Sequence, residues 1–453
     1  MIVMKFGGTS VGVRDHFRIA IEEVVRRREQ APVVVVSALA GVTNLLAEFC
    51  SAPARRNAVA AAVIDRHVEF AREAGVERVA LDDAIDALRD DFHQAPTGRL
   101  TPEARDRILS HGERLSAVLF AAGLREAGLD ATAVVAGDAG LVTDERFGAA
   151  HPLPEAPALL RAALGDRGDV PVVTGFLGRT TDGRTTTLGR GGSDYSAALI
   201  GAALGAQEIQ IWTDTSGMLS ADPRIVAEAR TVPRLSFAEA SELAYFGARV
   251  LHPKTLLPAI DREIPVRILN TLRPEDPGSL IMAAAEPGAS WCVKSIACKK
   301  GITAVTIVST RMLLAHGFLA RVFEVFGRHH VVVDLVTTSE VSISVTVDDE
   351  VQLDRAIADL EGIGRVEVRR GLGVIAVVGE GAPQHLGLTG HVFTLVGGIG
   401  VAVEMISQGA SRVNLSFVVR EADVDRVVRL LHRGLALDLD AEANSASGSP
   451  APR

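Results

Sequence analysis

The chain has 453 residues, of which 47% are hydrophobic and 23% charged, with 43 glycines and a net charge of -9. That length exceeds what one hydrophobic core serves, so two or three soluble domains are expected, and the acidic balance speaks against a nucleic-acid or anionic-membrane surface. Cys50, Cys292 and Cys298 are too scattered for a disulfide framework or a zinc site, and neither a signal peptide nor a charge-free membrane-spanning run is seen, so a cytoplasmic protein is expected.

From residue 1 to about 275, apolar runs such as Pro32-Val-Val-Val-Val36, Val170-Pro-Val-Val-Thr174 and Ile209-Gln-Ile-Trp212 alternate with amphipathic helical stretches. This predicts an α/β domain with a largely parallel sheet. No G-x-x-x-x-G-K-[ST] loop occurs, and Gly371-Leu-Gly-Val leads toward a strand, so its glycines are expected to form a turn. Several polar, mostly glycine-rich segments remain, places where backbone N–H groups could meet phosphate. They are Lys5-Phe-Gly-Gly-Thr-Ser10, Ser37-Ala-Leu-Ala-Gly-Val-Thr-Asn44, Ser110-His-Gly-Glu-Arg114, Gly189-Arg-Gly-Gly-Ser-Asp194 and Trp212-Thr-Asp-Thr-Ser-Gly217 with Asp222-Pro-Arg224. Taken singly, Lys5 also fits a lysine reaching water from a strand end, Glu113 a solvated glutamate, and the others a turn or cap. Only the dense string around Arg190 and Asp194 favours a ligand by itself.

Residues 276–292, rich in Pro, Gly and Ala, read as a linker. Beyond them the chain repeats itself. Gly317-Phe-Leu-Ala-Arg-Val-Phe aligns with Gly387-Leu-Thr-Gly-His-Val-Phe, an offset of 387 − 317 = 70, and Val333-Asp-Leu-Val336 falls on Val403-Glu-Met-Ile406. After two extra residues, Ser342-Ile-Ser-Val345 matches Asn414-Leu-Ser-Phe417. Each copy reads strand, helix, two strands, helix. The first spans 303–372 and closes with a strand near Val366; the second spans 373–441 and lacks one, so 293–302 is expected to supply it. A polar tail, 442–453, is expected to be disordered.

In this order the motifs resemble the aspartate kinase family over nearly the whole chain. The resemblance implies an amino acid kinase fold, a three-layer α/β domain with a largely parallel sheet, followed by two βαββαβ ACT domains. It implies transfer of the ATP γ-phosphoryl group to the β-carboxylate of L-aspartate, with Mg2+ carried by the nucleotide and no metal site of the protein's own. Lys5 and Asp194 would be catalytic. Gly7, Gly8, Thr9 and Ser10 would bind phosphate, and Ser37, Thr43, Glu113, Arg190 and Ser193 the substrate. Thr213, Asp214, Leu219, Arg224 and Arg249 would contact ATP, although relatives carry tyrosine at the position of Leu219 and lysine at that of Arg249. The second half resembles the lysine-inhibited members, with Met312, Gly317, Phe318, Leu319, Asp334, Thr338, Ser339 and Glu340 as the effector site and a homodimer formed through the ACT domains.

An acceptor that is already anionic requires no general base, so catalysis should rest on positive charge, backbone N–H groups and alignment. Competing readings are a kinase of the same fold acting on another acceptor and a catalytically silent amino-acid sensor. The doubled C-terminal unit speaks against the first, and Lys5, Glu113, Arg190 and Asp194 together against the second.

Overall fold

The computed structural model describes residues 1–247, 253–285, 291–312, 316–348, 352–408 and 412–438. The predicted nucleotide contact Arg249 and the tail 442–453 lie outside them. The described residues fall into two compact units. The first comprises 1–218, 233–241 and the described part of 249–285; the second comprises 219–232, 242–247 and the described residues beyond 286. No described helix is long and apolar enough to cross a membrane.

The strands of the first unit are β1 Ile2–Phe6, β2 Pro32–Val36, β3 Ala131–Val134, β4 Val170–Thr174, β5 Leu177–Arg179, β6 Thr185–Thr187, β7 Ile209–Thr213, β8 Arg234–Ser236, β9 Val266–Asn270 and β10 Ser279–Met282. Among the described residues, eight of them form one sheet in the order β3-β4-β2-β1-β7-β9-β10-β8, while β5 and β6 pair as a hairpin. Every pairing in the sheet is parallel except β9 with β10, as the apolar runs predicted. All residues of β1, β2 and β4 are buried, because helices cover both faces. The longest helix, Pro102–Glu126, starts at Thr101, whose side chain accepts from the Ala104 N–H, with proline in the first turn. Its Phe120 meets Phe6 and Phe17 at ring-centroid distances of 5.2 and 5.5 Å.

The stretch expected as a linker contains β10. Ser279 is buried there, its hydroxyl taking the Met218 N–H at 2.9 Å, and Ile281 fills the core. Flanking prolines and glycines hid a strand of four residues.

In the second unit β11 Ser295–Val308, β12 Val336–Thr338, β13 Ser342–Val347, β14 Arg365–Val378, β15 Met405–Ser407 and β16 Asn414–Arg420 form an antiparallel sheet in the order β12-β13-β11-β14-β16-β15. The long strands β11 and β14 each serve both repeats. Ala304–Val308 of β11 pair with 365–369 beside β13, while Ser295–Lys300 pair with 373–378 beside β16. The register shifts between Lys300 and Ala304, where Gly301 has φ +74°, and Gly371, 70 residues later, has φ +70°. Gly371, expected in a turn, is thus the pivot of a continuous strand, a left-handed step that favours a residue without a Cβ, while Gly373 pairs in the ladder with Lys300 and Val419.

Residues 219–232 were expected in the first domain and fold with the second unit. Ala221 and Val226 enter its hydrophobic core, and the Ser220 hydroxyl lies 2.8 Å from Nε2 of the buried His432.

Candidate active site

Ligands of open α/β sheets sit at the C-terminal ends of the strands, where the strand order reverses. Here β1 lies between β2 and β7, and the segments leaving these three strands begin with Gly7, Ser37 and Asp214. Lys5 is one residue from the end of the buried β1, and its side chain is only 10% exposed, so its ammonium needs a partner. Asp194 is that partner, with Oδ1 at 2.5 Å from Nζ. Asp194 stands in the first turn of the helix Gly192–Leu204, where the helix dipole favours a carboxylate. Gly191, at φ +70°, turns the chain into that helix.

Glu113 approaches from the helix Pro102–Glu126. A Cβ at the preceding Gly112 would lie 2.7 Å from Cβ of Ala38, so glycine is what lets this helix close on the turn after β2. Glu113 Oε1 then accepts the Ala38 N–H at 3.2 Å, while Oε2 has no partner. Burial pushes its carboxyl up to about 8, against the lowering effect of the Ala38 bond.

A cleft of about 1720 Å³ is lined by Lys5, Ser37, Thr43, Glu113, Arg190, Ser193 and Asp194 together. An adjoining recess of about 490 Å³ shares Ser37 and Thr43 and adds Gly7, Gly8, Thr9, Thr213 and Asp214. One space thus offers cations and carboxylates suited to a zwitterion. The other offers glycine backbone and hydroxyls suited to a phosphate chain.

Protein-family models match the two halves of the chain separately. The model of the amino acid kinase family matches residues 1–270, and that of the ACT domain matches 305–362 and 375–435. Aspartokinase 1, chloroplastic, of Arabidopsis thaliana is 38% identical over 99% of this chain and 83% of its own length, and lysine-sensitive aspartokinase 3 of Escherichia coli is 36% identical over 96% and 99%. The structure of E. coli aspartokinase III in complex with aspartate and ADP superposes with a TM-score of 0.82 at 35% identity, over 96% of this chain and 100% of that one. The chain belongs to the aspartokinases.

Within this aspartokinase, three predicted contacts line neither this cleft nor this recess. Ser10 turns inward, its hydroxyl 2.7 Å from Thr271 Oγ1 and 3.2 Å from the Trp212 carbonyl, and so braces the glycine turn instead of lining the recess. Leu219 and Arg224 belong to the second unit. The Leu219 carbonyl accepts from the Ser295 hydroxyl at 2.7 Å, and the Arg224 guanidinium is forked onto Asp222 at 2.6 and 3.0 Å.

Two cleft residues escaped sequence reasoning. Phe176 has φ +66°, rare for a bulky side chain, with its N–H bonded to Ser196 Oγ and its ring against Gly192. Nothing local in the sequence marks it. Asp106 takes the N–H groups of Gly148 and Thr187, each at 2.8 Å, and the Thr187 hydroxyl at 3.0 Å, tying β6 to the cleft wall. It lies seven residues before Glu113 on the same helix, a two-turn spacing that could have drawn attention.

In the first ACT copy, the Asp334 side chain is 1% exposed and its Oδ2 lies 3.3 Å from Lys299 Nζ. Gly317, at φ +75°, opens the helix Phe318–Arg328. Phe318, expected at the effector, is buried with Val322 and Val325, so its side chain is core packing. Met312 packs at the edge of the same core, whereas Leu319, Thr338, Ser339 and Glu340 are exposed and Ser339 Oγ is 2.7 Å from Ser342 Oγ.

Proposed function

We infer that this aspartokinase transfers the γ-phosphoryl group of ATP, with Mg2+ entering on the nucleotide, to the β-carboxylate of L-aspartate, giving 4-phospho-L-aspartate. The observation that carries the residue assignment is the Lys5–Asp194 pair in the lining of a cleft that also holds Arg190 and Glu113. Glu113 and Asp194 hold the substrate ammonium, Arg190 and Ser193 its α-carboxylate, and Ser37 and Thr43 the side-chain end. Thr213 and Asp214 contact the nucleotide. Gly7, Gly8 and Thr9 offer backbone N–H groups to the phosphates. Lys5 offsets the negative charge as the anionic acceptor meets the γ-phosphoryl group, which is the main obstacle to this reaction.

The test is ATP consumption with hydroxylamine trapping of the acyl phosphate, comparing aspartate with glutamate and acetylglutamate. Aspartyl hydroxamate is expected to dominate; ATP consumption on another acceptor, or none, would end the reading.

The first ACT copy binds lysine as feedback inhibitor, with Asp334 receiving its side-chain ammonium; the lysine-sensitive E. coli relative supports this. Calorimetric titration should give binding by lysine and none by threonine or methionine. Two chains pair through their ACT copies, a reading supported by the exposed apolar residues Val336, Val341 and Phe323 of the first copy, and sedimentation should return twice the monomer mass.

A further inference from the structure

Asp334 is engaged twice by groups of its own chain. The Tyr245 hydroxyl donates to Oδ1, and the Lys299 ammonium lies 3.3 Å from Oδ2. All three residues belong to the second unit. Lys299 is shared, because its Nζ is 2.5 Å from Asp348 Oδ2 and 5.2 Å from the centre of the Tyr245 ring. An ammonium–carboxylate hydrogen bond is normally about 2.8 Å long, so Lys299 leans toward Asp348 and holds Asp334 loosely. Burial raises the Asp334 carboxyl above the usual carboxylate range despite both partners. Two carboxylates, one ammonium and a phenol leave the cluster one cation short of neutral.

The second repeat shows that this deficit is particular to the first. Lys299 and Asp334 each lie 70 residues before Arg369 and Glu404, and Arg369 pairs with Glu404 in the same way. The cation–carboxylate pair is therefore a property of the repeat. In the shifted register that sets Ser342 opposite Asn414, however, Asp348 corresponds to Arg420, so the second copy carries a cation where the first carries an acid. Of these two clusters of described residues, that of the first copy is the one short of a cation.

We propose that Tyr245 and Lys299 compete with the effector's side-chain ammonium for Asp334, and so set both the affinity for the effector and its preference for a cationic amino acid. This rests on Asp334 being the effector carboxylate. The incoming ammonium takes Oδ2 while Lys299 moves fully to Asp348, which leaves two ammonium groups against two carboxylates. A second of the incoming ammonium's three N–H groups turns to Oδ1 and displaces the Tyr245 hydroxyl there. Tyr245 lies in 242–247, flanked in sequence on both sides by segments of the first unit, so its release is carried along the chain toward the catalytic half.

The experiment uses the full-length protein with L-lysine and with norleucine, which has a neutral side chain, measured by calorimetry and by inhibition of turnover. Tyr245→Phe is expected to tighten lysine about tenfold in both measurements, the scale of one hydrogen bond to a charged group, and to leave norleucine unchanged. Lysine affinity that is unchanged or weaker, or an equal gain by both ligands, overturns the proposal. Lys299→Met is an independent arm, expected to tighten lysine alone because the cation deficit grows from one to two. Asp334→Asn separates the two claims. If that variant binds lysine like the parent, the effector assignment itself has failed. If it loses lysine while Tyr245→Phe and Lys299→Met change nothing, the competition alone has failed.

Discussion

Two lysine–aspartate clusters, one in each unit, use the same ion pair differently. In the catalytic cleft Lys5 is held by Asp194 at 2.5 Å, with both side chains at 15% exposure or less, and Glu113 stands on the cleft wall with an unpaired oxygen. In the sensing half Lys299 is divided between Asp348 at 2.5 Å and Asp334 at 3.3 Å. The first arrangement pins a cation against a cleft, which suits a reaction whose charge develops at one place. The second leaves a carboxylate partly compensated, which suits reversible exchange of one ammonium for another. A buried lysine in a motif does not announce which of these it is; the number and distance of its carboxylates do.

Removing each cation or carboxylate should expose that contrast, and the largest effect is expected at Lys5. Lys5→Ala should lower kcat about 10²- to 10³-fold while the KM for aspartate changes little, as for loss of a preorganised group aimed at the transition state. Steady-state kinetics decide it, and preserved kcat would show the pair to be structural. Asp334→Asn should raise the lysine concentration for half-inhibition about 10- to 100-fold, the worth of a charge-assisted hydrogen bond. An inhibition curve that does not move would remove Asp334 from the sensing site.

The next effect follows pH. With its carboxyl raised to about 8, Glu113 is protonated at pH 6 to 7, whereas the substrate ammonium requires the ionised form. Apparent affinity for aspartate should therefore rise about tenfold per pH unit up to about 8 and then level off. kcat/KM for aspartate measured from pH 6 to 9 tests this, with Glu113→Gln expected to flatten the profile; a flat profile in the parent would contradict the buried, under-partnered carboxyl. The smallest effect is steric. Gly112→Ala places a methyl 2.7 Å from Ala38 Cβ and should cost about 1–3 kcal/mol in chemical denaturation, the range for overpacking a tight contact.

Much of the architecture could be read from residue order. Runs such as Pro32–Val36 and Val170-Pro-Val-Val173 are apolar at every position, which only a strand covered on both faces tolerates, and the 70-residue repeat exposed the doubled sensing unit. Ser279–Met282 escaped because four residues between glycine- and proline-rich flanks carry too little periodicity. Gly371 reads as a turn because a left-handed glycine inside a strand looks like one when its partner at Gly301 is not in view.

Sequence by itself determined which chemical groups were at hand: the lysine before two glycines, the Gly-Arg-Gly-Gly-Ser-Asp string, and a carboxylate at the same place in each repeat. Tertiary structure alone decided their partners. Lys5 meets Asp194 from 189 positions away, Tyr245 meets Asp334 from 89 positions away, the Ser10 hydroxyl meets Thr271 and the Arg224 guanidinium meets Asp222. The reason is physical. Local patterning records what a strand or helix needs in order to form, whereas the compensation of a buried charge depends on whichever distant group the packing brings within about 3 Å.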